Sequence, residues 1–185
     1  MSNAEANTET IVLGGGCFWC VDAIFRRVRG VTAVQSGYAN GHVPQPTYQQ
    51  VCTGSTGHAE VVRVEFDPEE IDVREILEIF FATHDPTTPD RQGNDVGPQY
   101  RSAIYYSRPE HREAAEELMH SMEQERMFGA PLVTELAPLR SFWPAEAYHE
   151  DYYTANPQQG YCAFVIAPKV EKFRKTFQRH LKSGA

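Results

Sequence analysis

TIVLGGGCFWCVDAIFRRVRGVTAVQSGY, residues 10–38, changes its hydrophobic period twice. Thr10 to Leu13 is a short β-branched run and reads as a strand. Gly14-Gly15-Gly16 interrupts it. From Cys17 to Arg29 the apolar residues Phe18, Val21, Ile24, Phe25 and Val28 fall at helical spacing. Gly30 is a stop signal, and Val31 to Tyr38 returns to a strand. The stretch is a strand–helix–strand unit with a cysteine at the strand-to-helix junction.

The pattern recurs beyond this stretch. His58 to Phe66 alternates as a third strand. Asp72, with Glu75 three residues on, opens a helix whose apolar face is Val73, Ile76, Leu77 and Phe80. Arg101 to Tyr106 is a fourth strand. The order strand-helix-strand-strand-helix-strand predicts an α+β two-layer sandwich with its helices on one sheet face. An appended C-terminal part follows. Ser107-Arg108-Pro109-Glu110 is a capping signal for a helix to about Met127. Leu132 to Leu136 reads as an edge strand, Ala145 to Ala155 as a helix, and Lys169 to Leu181 as a last helix. The loops are Ala39 to Thr47 and His84 to Gln99. The second is long enough to predict a functional role. Residues 1–9 read as a disordered tail and 10–185 as a single domain.

Composition narrows the function. With 17 Lys and Arg against 25 Asp and Glu, the net charge is −8. That excludes generic nucleic-acid binding, which needs a basic surface to displace counterions. No apolar run approaches the ~20 residues that cross a bilayer, and Met1 to Thr10 lacks the features of a signal peptide. The expectation is a cytoplasmic protein. There the 4 cysteines are more readily redox-active or free than structural disulfides. No cofactor motif is present.

Chemistry concentrates in Gly14-Gly15-Gly16-Cys17-Phe18-Trp19-Cys20. A cysteine opening a helix meets unpaired N–H groups and the positive dipole end, both of which favour a thiolate. Phe18 and Trp19 can wall an apolar pocket. Cys20 lies one helical turn on, near disulfide reach. The pair fits a redox dithiol. CxxC also opens zinc sites, but no second ligand pair accompanies it. Glu60 shares its strand face with Val62, Val64 and Phe66, whereas Val61, Arg63 and Glu65 form the wetter face. A carboxyl at the end of an apolar face has a raised pKa and can act as a general acid. Asp95 and Tyr100, in the 84–99 loop and at its edge, and Tyr48 read equally as turn residues or as site hydrogen-bonding groups. His149 reads as structural. The basic residues Lys169, Lys172, Arg174, Lys175, Arg179 and Lys182 read as a solvated helix face.

The segments GGCFWC at 15–20, SGYANG at 36–41, PTYQQVCTGSTGHAEVV at 46–62, HDPTTPDRQGNDVGPQYRS at 84–102 and NPQQGYC at 156–162 resemble the A-type peptide methionine sulfoxide reductases. The likeness runs from about Thr10 to Leu181. It implies a ferredoxin-like core and reduction of the S epimer of methionine sulfoxide, free or in oxidised proteins, as repair under oxidative stress. It implies catalysis by Cys17 as nucleophile and Glu60 as acid, with Tyr48, Asp95 and Tyr100 around the sulfoxide oxygen. Phe18 and Trp19 would hold the substrate methyl group. Cys17 would become a sulfenic acid, a resolving cysteine would close a disulfide, and thioredoxin would reduce it. Cys20 and Cys162 both stand at positions that resolve in parts of the family. The rival from the CxxC pair alone is a thioredoxin-type dithiol–disulfide oxidoreductase.

Overall fold

The computed structural model describes residues 7–185. Of the tail expected at 1–9, residues 1–6 lie outside the described residues, and Glu9 already opens the first strand. The central unit runs β1 (Glu9–Gly14), α1 (Phe18–Phe25), β2 (Val31–Ala39), α2 (Tyr48–Cys52), β3 (Ala59–Phe66), α3 (Val73–Ala82). A two-residue ribbon follows, β4 (Arg91–Gln92) and β5 (Asp95–Val96), and then β6 (Ala103–Tyr106). Beyond it come α4 (Pro109–Gln124), β7 (Glu135–Pro138), β8 (Phe142–Pro144), α5 (Tyr152–Ala155) and α6 (Ala167–Thr176).

The main sheet has six strands in the order β7-β6-β1-β3-β2-β8. It is mixed: β1, β2, β3, β6 and β8 pair antiparallel, and β7 runs parallel to β6. The protein is thus α+β, as expected. Ile11, Leu13, Val62, Val64, Phe66 and Ile104 belong to the same core as Ile24 and Phe25 of α1 and Ile76, Leu77 and Phe80 of α3. A smaller cluster includes Val12, Val61, Ala103 and Tyr105, with Leu139 and Phe142 packed against it. The Asp72 carboxylate accepts from the Glu75 N–H at 2.8 Å and starts α3 where the sequence placed it.

Several boundaries move, each for a local reason. α1 ends at Phe25 and not Arg29, because the Arg27 and Val28 N–H groups turn back to Ile24 and Phe25, and Val28 bridges to Leu181. Arg108, not Ser107, is the residue before α4, and it makes no side-chain cap; Pro109 sets the first turn. The helix expected at Ala145–Ala155 is broken. A single turn, Ala147–His149, is followed by Asp151 at φ 49° and then α5. Long-range bonds force this: Asp22 of α1 accepts from the Asp151 N–H at 2.9 Å, and Glu150 accepts from the Ser36 N–H at 3.1 Å. The last helix starts earlier, through a π turn at Cys162–Ile166, and ends at Thr176. The edge strand lies at Glu135–Pro138, three residues later than expected. Strands β4, β5 and β8 and helix α2 had no forecast.

Candidate active site

The glycine turn places Cys17. Gly16 has φ +94°, and a Cβ there would lie 2.7 Å from the Gln92 side chain. Only glycine meets both conditions. Gln92 is in turn clipped to the Asp85 backbone by two hydrogen bonds of 2.9 Å, which docks the 84–99 loop on the turn. Cys17 emerges as the N-cap residue of α1 and is buried.

Glu60 enters from the start of β3, opposite Tyr38 of β2. It is 1% exposed, on the apolar face where strand alternation put it. The Phe18 N–H donates to its Oε1 at 3.2 Å. Its Oε2 is buried with no hydrogen-bond partner. Burial pushes this carboxyl up to about 8, opposed by the Phe18 N–H and reinforced by Asp95 and Cys20. At neutral pH Glu60 is therefore a carboxylic acid.

Cys17 departs from the expectation of a resting thiolate. Burial, the Cys20 thiol and the Glu60 carboxyl push its thiol well above the usual range, and only the Trp19 N–H pulls it down. Cys20 is the acidic partner. Its thiol is drawn down to about 7, first by the Cys17 thiol, against burial, and then by the Lys169 ammonium and the Tyr161 hydroxyl. The helix start favours anions at both sulfurs. Besides burial and their mutual hydrogen bond, the two differ in the charges they face, a carboxyl at Cys17 and an ammonium at Cys20.

An aromatic group surrounds these sulfurs. Phe18 is fully buried, with its ring centroid 6.2 Å from Tyr48 and 4.9 Å from His149. Trp19 is half-buried and stacks on Tyr152 at 3.8 Å, with planes 7° apart. Its Nε1 donates to His149 Nδ1 at 2.9 Å. Tyr48 is fixed by a capping box at Thr47 and by its N–H donating to Glu146 at 2.9 Å. Trp19 and Tyr48 retain exposed surface, and Phe18 lies in the core beside them. Burial and then Glu60 hold the Tyr48 and Tyr100 phenols well above their usual range, so both remain hydrogen-bond donors.

Asp95, expected beside the sulfoxide oxygen, accepts from the Tyr161 hydroxyl at 2.6 Å. The same hydroxyl lies 3.5 Å from Cys20 Sγ. Asp95 is thus tied to the second sulfur, while its charge also reaches Glu60. Cys162 stands at the other position that resolves in parts of the family, which calls for an accessible sulfur. Instead it is fully buried in the main core, with its N–H donating to Gln159 at 3.1 Å. All four cysteines are free thiols. His149, Tyr152, Tyr161 and Lys169 join the site without having been singled out for it. The aromatic density of Ala145–Tyr153 was the available signal for the first two.

Comparison with known families places this geometry. The family model described as Peptide methionine sulfoxide reductase matches residues 9–181. The chain belongs to that family. A Peptide methionine sulfoxide reductase MsrA from Ralstonia nicotianae is 56% identical over 179 residues, covering 95% of this chain and 94% of that protein. One from Sulfolobus acidocaldarius is 56% identical over 169 residues, covering 91% and 95%. Among solved structures, Mxr1 from Saccharomyces cerevisiae in reduced form is 33% identical with a TM-score of 0.79, covering 85% of this chain and 91% of that one. Methionine sulfoxide reductase A of Corynebacterium diphtheriae is 37% identical with a TM-score of 0.75, covering 86% and 80%. Yeast Mxr1 has also been solved in complex with Trx2.

Proposed function

We propose that the protein is a peptide-methionine (S)-S-oxide reductase, which returns the S epimer of methionine sulfoxide, free or in oxidised proteins, to methionine. The observation that carries the reading is Glu60. It is a buried acid, protonated at neutral pH, with one oxygen bonded to the first N–H of α1 and the other unpartnered beside Cys17. A desolvated oxygen without a partner is costly in a finished core. A sulfoxide oxygen supplies the missing partner.

Cys17 Sγ attacks the sulfoxide sulfur while Glu60 gives its proton to the sulfoxide oxygen. The Cys20 thiolate takes the proton from the Cys17 thiol. Methionine leaves, and Cys17 holds the oxygen as a sulfenic acid. Trp19 and Phe18 cover the substrate methyl group, and the protonated phenols of Tyr48 and Tyr100 donate to the oxygen. Asp95 acts through Tyr161. Cys20, one turn from Cys17, closes the disulfide first. Cys162 substitutes or takes part in a second exchange, because leaving its place in the core requires the π turn to rearrange.

Thioredoxin is the reductant in this reading, in keeping with an intramolecular disulfide and with the Trx2 complex of yeast Mxr1. No described helix is long and apolar enough to cross a membrane, and a cytoplasmic site of action fits that. The order β6-β1-β3-β2 within the sheet supports describing the core as ferredoxin-like, within one domain over 10–185. A thioredoxin-type oxidoreductase, the rival reading of the CxxC pair, leaves the aromatic wall of Phe18, Trp19 and Tyr48 beside the thiols without a role.

Turnover of the separate S and R epimers with dithiothreitol tests the assignment. The S epimer is reduced, the R epimer is not, and Cys17→Ser abolishes the reaction. Comparable turnover of both epimers, or a Cys17→Ser protein within tenfold of the parent, overturns it.

A further inference from the structure

Lys169 stands on the third residue of α6, in the row of basic residues that reads as a solvated face. Lys172 and Lys175 are exposed on that helix, and Arg174 pairs with Glu171 at 3.5 Å. Lys169 behaves differently. It is half-buried, and among the described residues its ammonium has no carboxylate within ion-pair distance. The hydrogen bond recorded for its Nζ goes to Cys20 Sγ at 3.8 Å. Placing an ammonium inward without a carboxylate is costly unless another anion faces it.

The other groups around Cys20 narrow what that anion is. Cys17, from the start of the same helix, is held protonated. Glu60, from β3, is a neutral acid at pH 7. Tyr161 lies 3.5 Å from the sulfur and lowers its thiol after Lys169, but it is an uncharged hydroxyl that donates to Asp95 at 2.6 Å. Burial, and then the Cys20 charge, push the nearby Cys162 thiol up. Asp95 opposes a Cys20 anion. Of these neighbours, Lys169 is the one cation.

We infer that Lys169 is a positioning residue for the second half of the reaction: its ammonium holds the thiolate on Cys20 and so selects Cys20, rather than Cys162, as the sulfur that closes on Cys17. The inference rests on the proposed role of Cys20 above. In the closing step, Cys20 Sγ attacks the sulfenic sulfur of Cys17. The proton that Cys20 received from Cys17 passes to the sulfenic oxygen, Lys169 holds the sulfur left behind as the attacking thiolate, and the S–S bond forms as the S–O bond breaks and water leaves. Cys17 sulfur is reduced from the sulfenic state and Cys20 is oxidised, with no external reagent. When thioredoxin later attacks Cys17 Sγ, the same ammonium stabilises Cys20 as the leaving thiolate, since the more acidic thiol leaves faster.

The test has two readouts. In the resting protein, thiolate absorbance near 240 nm is titrated for each lysine variant against its Cys20→Ser counterpart. Lys169→Met raises the Cys20 midpoint by about one pH unit or more, Lys169→Arg restores it, and Lys172→Met, one turn away in solvent, leaves it in place. After one equivalent of methionine sulfoxide, acid quench, alkylation and mass spectrometry follow the disulfide. Its formation in Lys169→Met slows about tenfold at pH 7, more than methionine release does, and rejoins the parent rate near pH 9 as the thiol ionises unaided. A Cys20 midpoint unchanged in Lys169→Met overturns the inference. A shifted midpoint with a parent bridge running from Cys17 to Cys162 keeps the ion pair and overturns the Cys20-first order on which the selection rests.

Discussion

Glu60 and His84 lie on either side of the glycine turn. A Cβ on Gly14 would meet the Glu60 backbone at 3.3 Å, and one on Gly15 would meet the His84 ring at 3.4 Å. Burial holds each in its neutral form: Glu60 is pushed up to about 8 and His84 down to about 4. Their partners differ. His84 Nδ1 donates to the Phe80 carbonyl at 2.6 Å, and its Nε2 accepts from Ser102, which is bonded on to Thr134. Both nitrogens are used. Glu60 leaves Oε2 with nothing. A neutral buried group with every atom paired is part of the scaffold. Glu60, a raised acid with an oxygen left over among the site's thiols and phenols, is open to a ligand.

The strongest way to break this contrast is to keep the shapes and change the chemistry. Glu60→Gln keeps an oxygen for the Phe18 N–H and removes the transferable proton. The single-turnover rate of methionine formation is expected to fall by ~10²-fold or more, the usual range for a lost general acid, with substrate binding less affected. If Glu60→Gln retains most of the rate at neutral pH, the unpartnered oxygen is not an acid and the distinction from His84 fails.

Stability separates the two groups with opposite signs. The folded pKa of His84 lies below its unfolded value of about 6.5. The unfolded chain therefore binds the proton first as pH falls, and stability is lost between about 6.5 and 4. The full shift is worth about 3 kcal/mol, and about 2 kcal/mol after allowing for the half-buried position of the residue. Glu60, with its folded pKa raised, loses stability as pH rises from about 4.5 to about 8. Urea unfolding at pH 7 and pH 4 checks the first case: relative to His84→Asn, the parent loses about 2 kcal/mol on acidification. A parallel pH dependence of parent and variant refutes the assignment.

The same contrast explains what was readable beforehand. Hydrophobic period alone located β1, α1, β2, β3 and α3, because each buries one face of a regular element. It also placed Glu60, whose orientation follows from alternation with Val62, Val64 and Phe66. The break at Asp151 was hidden because the bonds that cause it come from Asp22, 129 residues away, with Glu150 held by Ser36 across 114. The acidity of Cys20 was hidden in part for the same reason: the Cys17 thiol that draws it down first is local, but the ammonium that adds to it lies 149 positions along the chain. The helix-start argument was sound for an exposed cysteine. It failed at Cys17 because local sequence does not reveal how completely a residue is enclosed or which charge faces it.

The smallest expected effect is also the most discriminating, because it reads both kinds of group in one curve. In the proposed mechanism, reduction needs Glu60 protonated and Cys20 ionised to receive the Cys17 proton. The first condition fails as pH rises past about 8, the second as pH falls past about 7. The single-turnover rate of methionine formation should follow a narrow bell centred near pH 7.5, falling about sevenfold from its maximum by pH 6 and by pH 9. His84, which titrates near 4, adds no limb in this range. The limbs are assigned by variants. Glu60→Gln, although slow, should lose the alkaline limb and keep the acid one. Cys20→Ser should keep the alkaline limb and lose the acid limb near 7, its rate then rising with the ionisation of Cys17 itself. If Cys20→Ser leaves the acid limb in place, the proton from Cys17 goes elsewhere. If Glu60→Gln leaves the alkaline limb in place, that limb reports a phenol or a thiol, and the unpartnered oxygen of Glu60 loses its claim to be the acid.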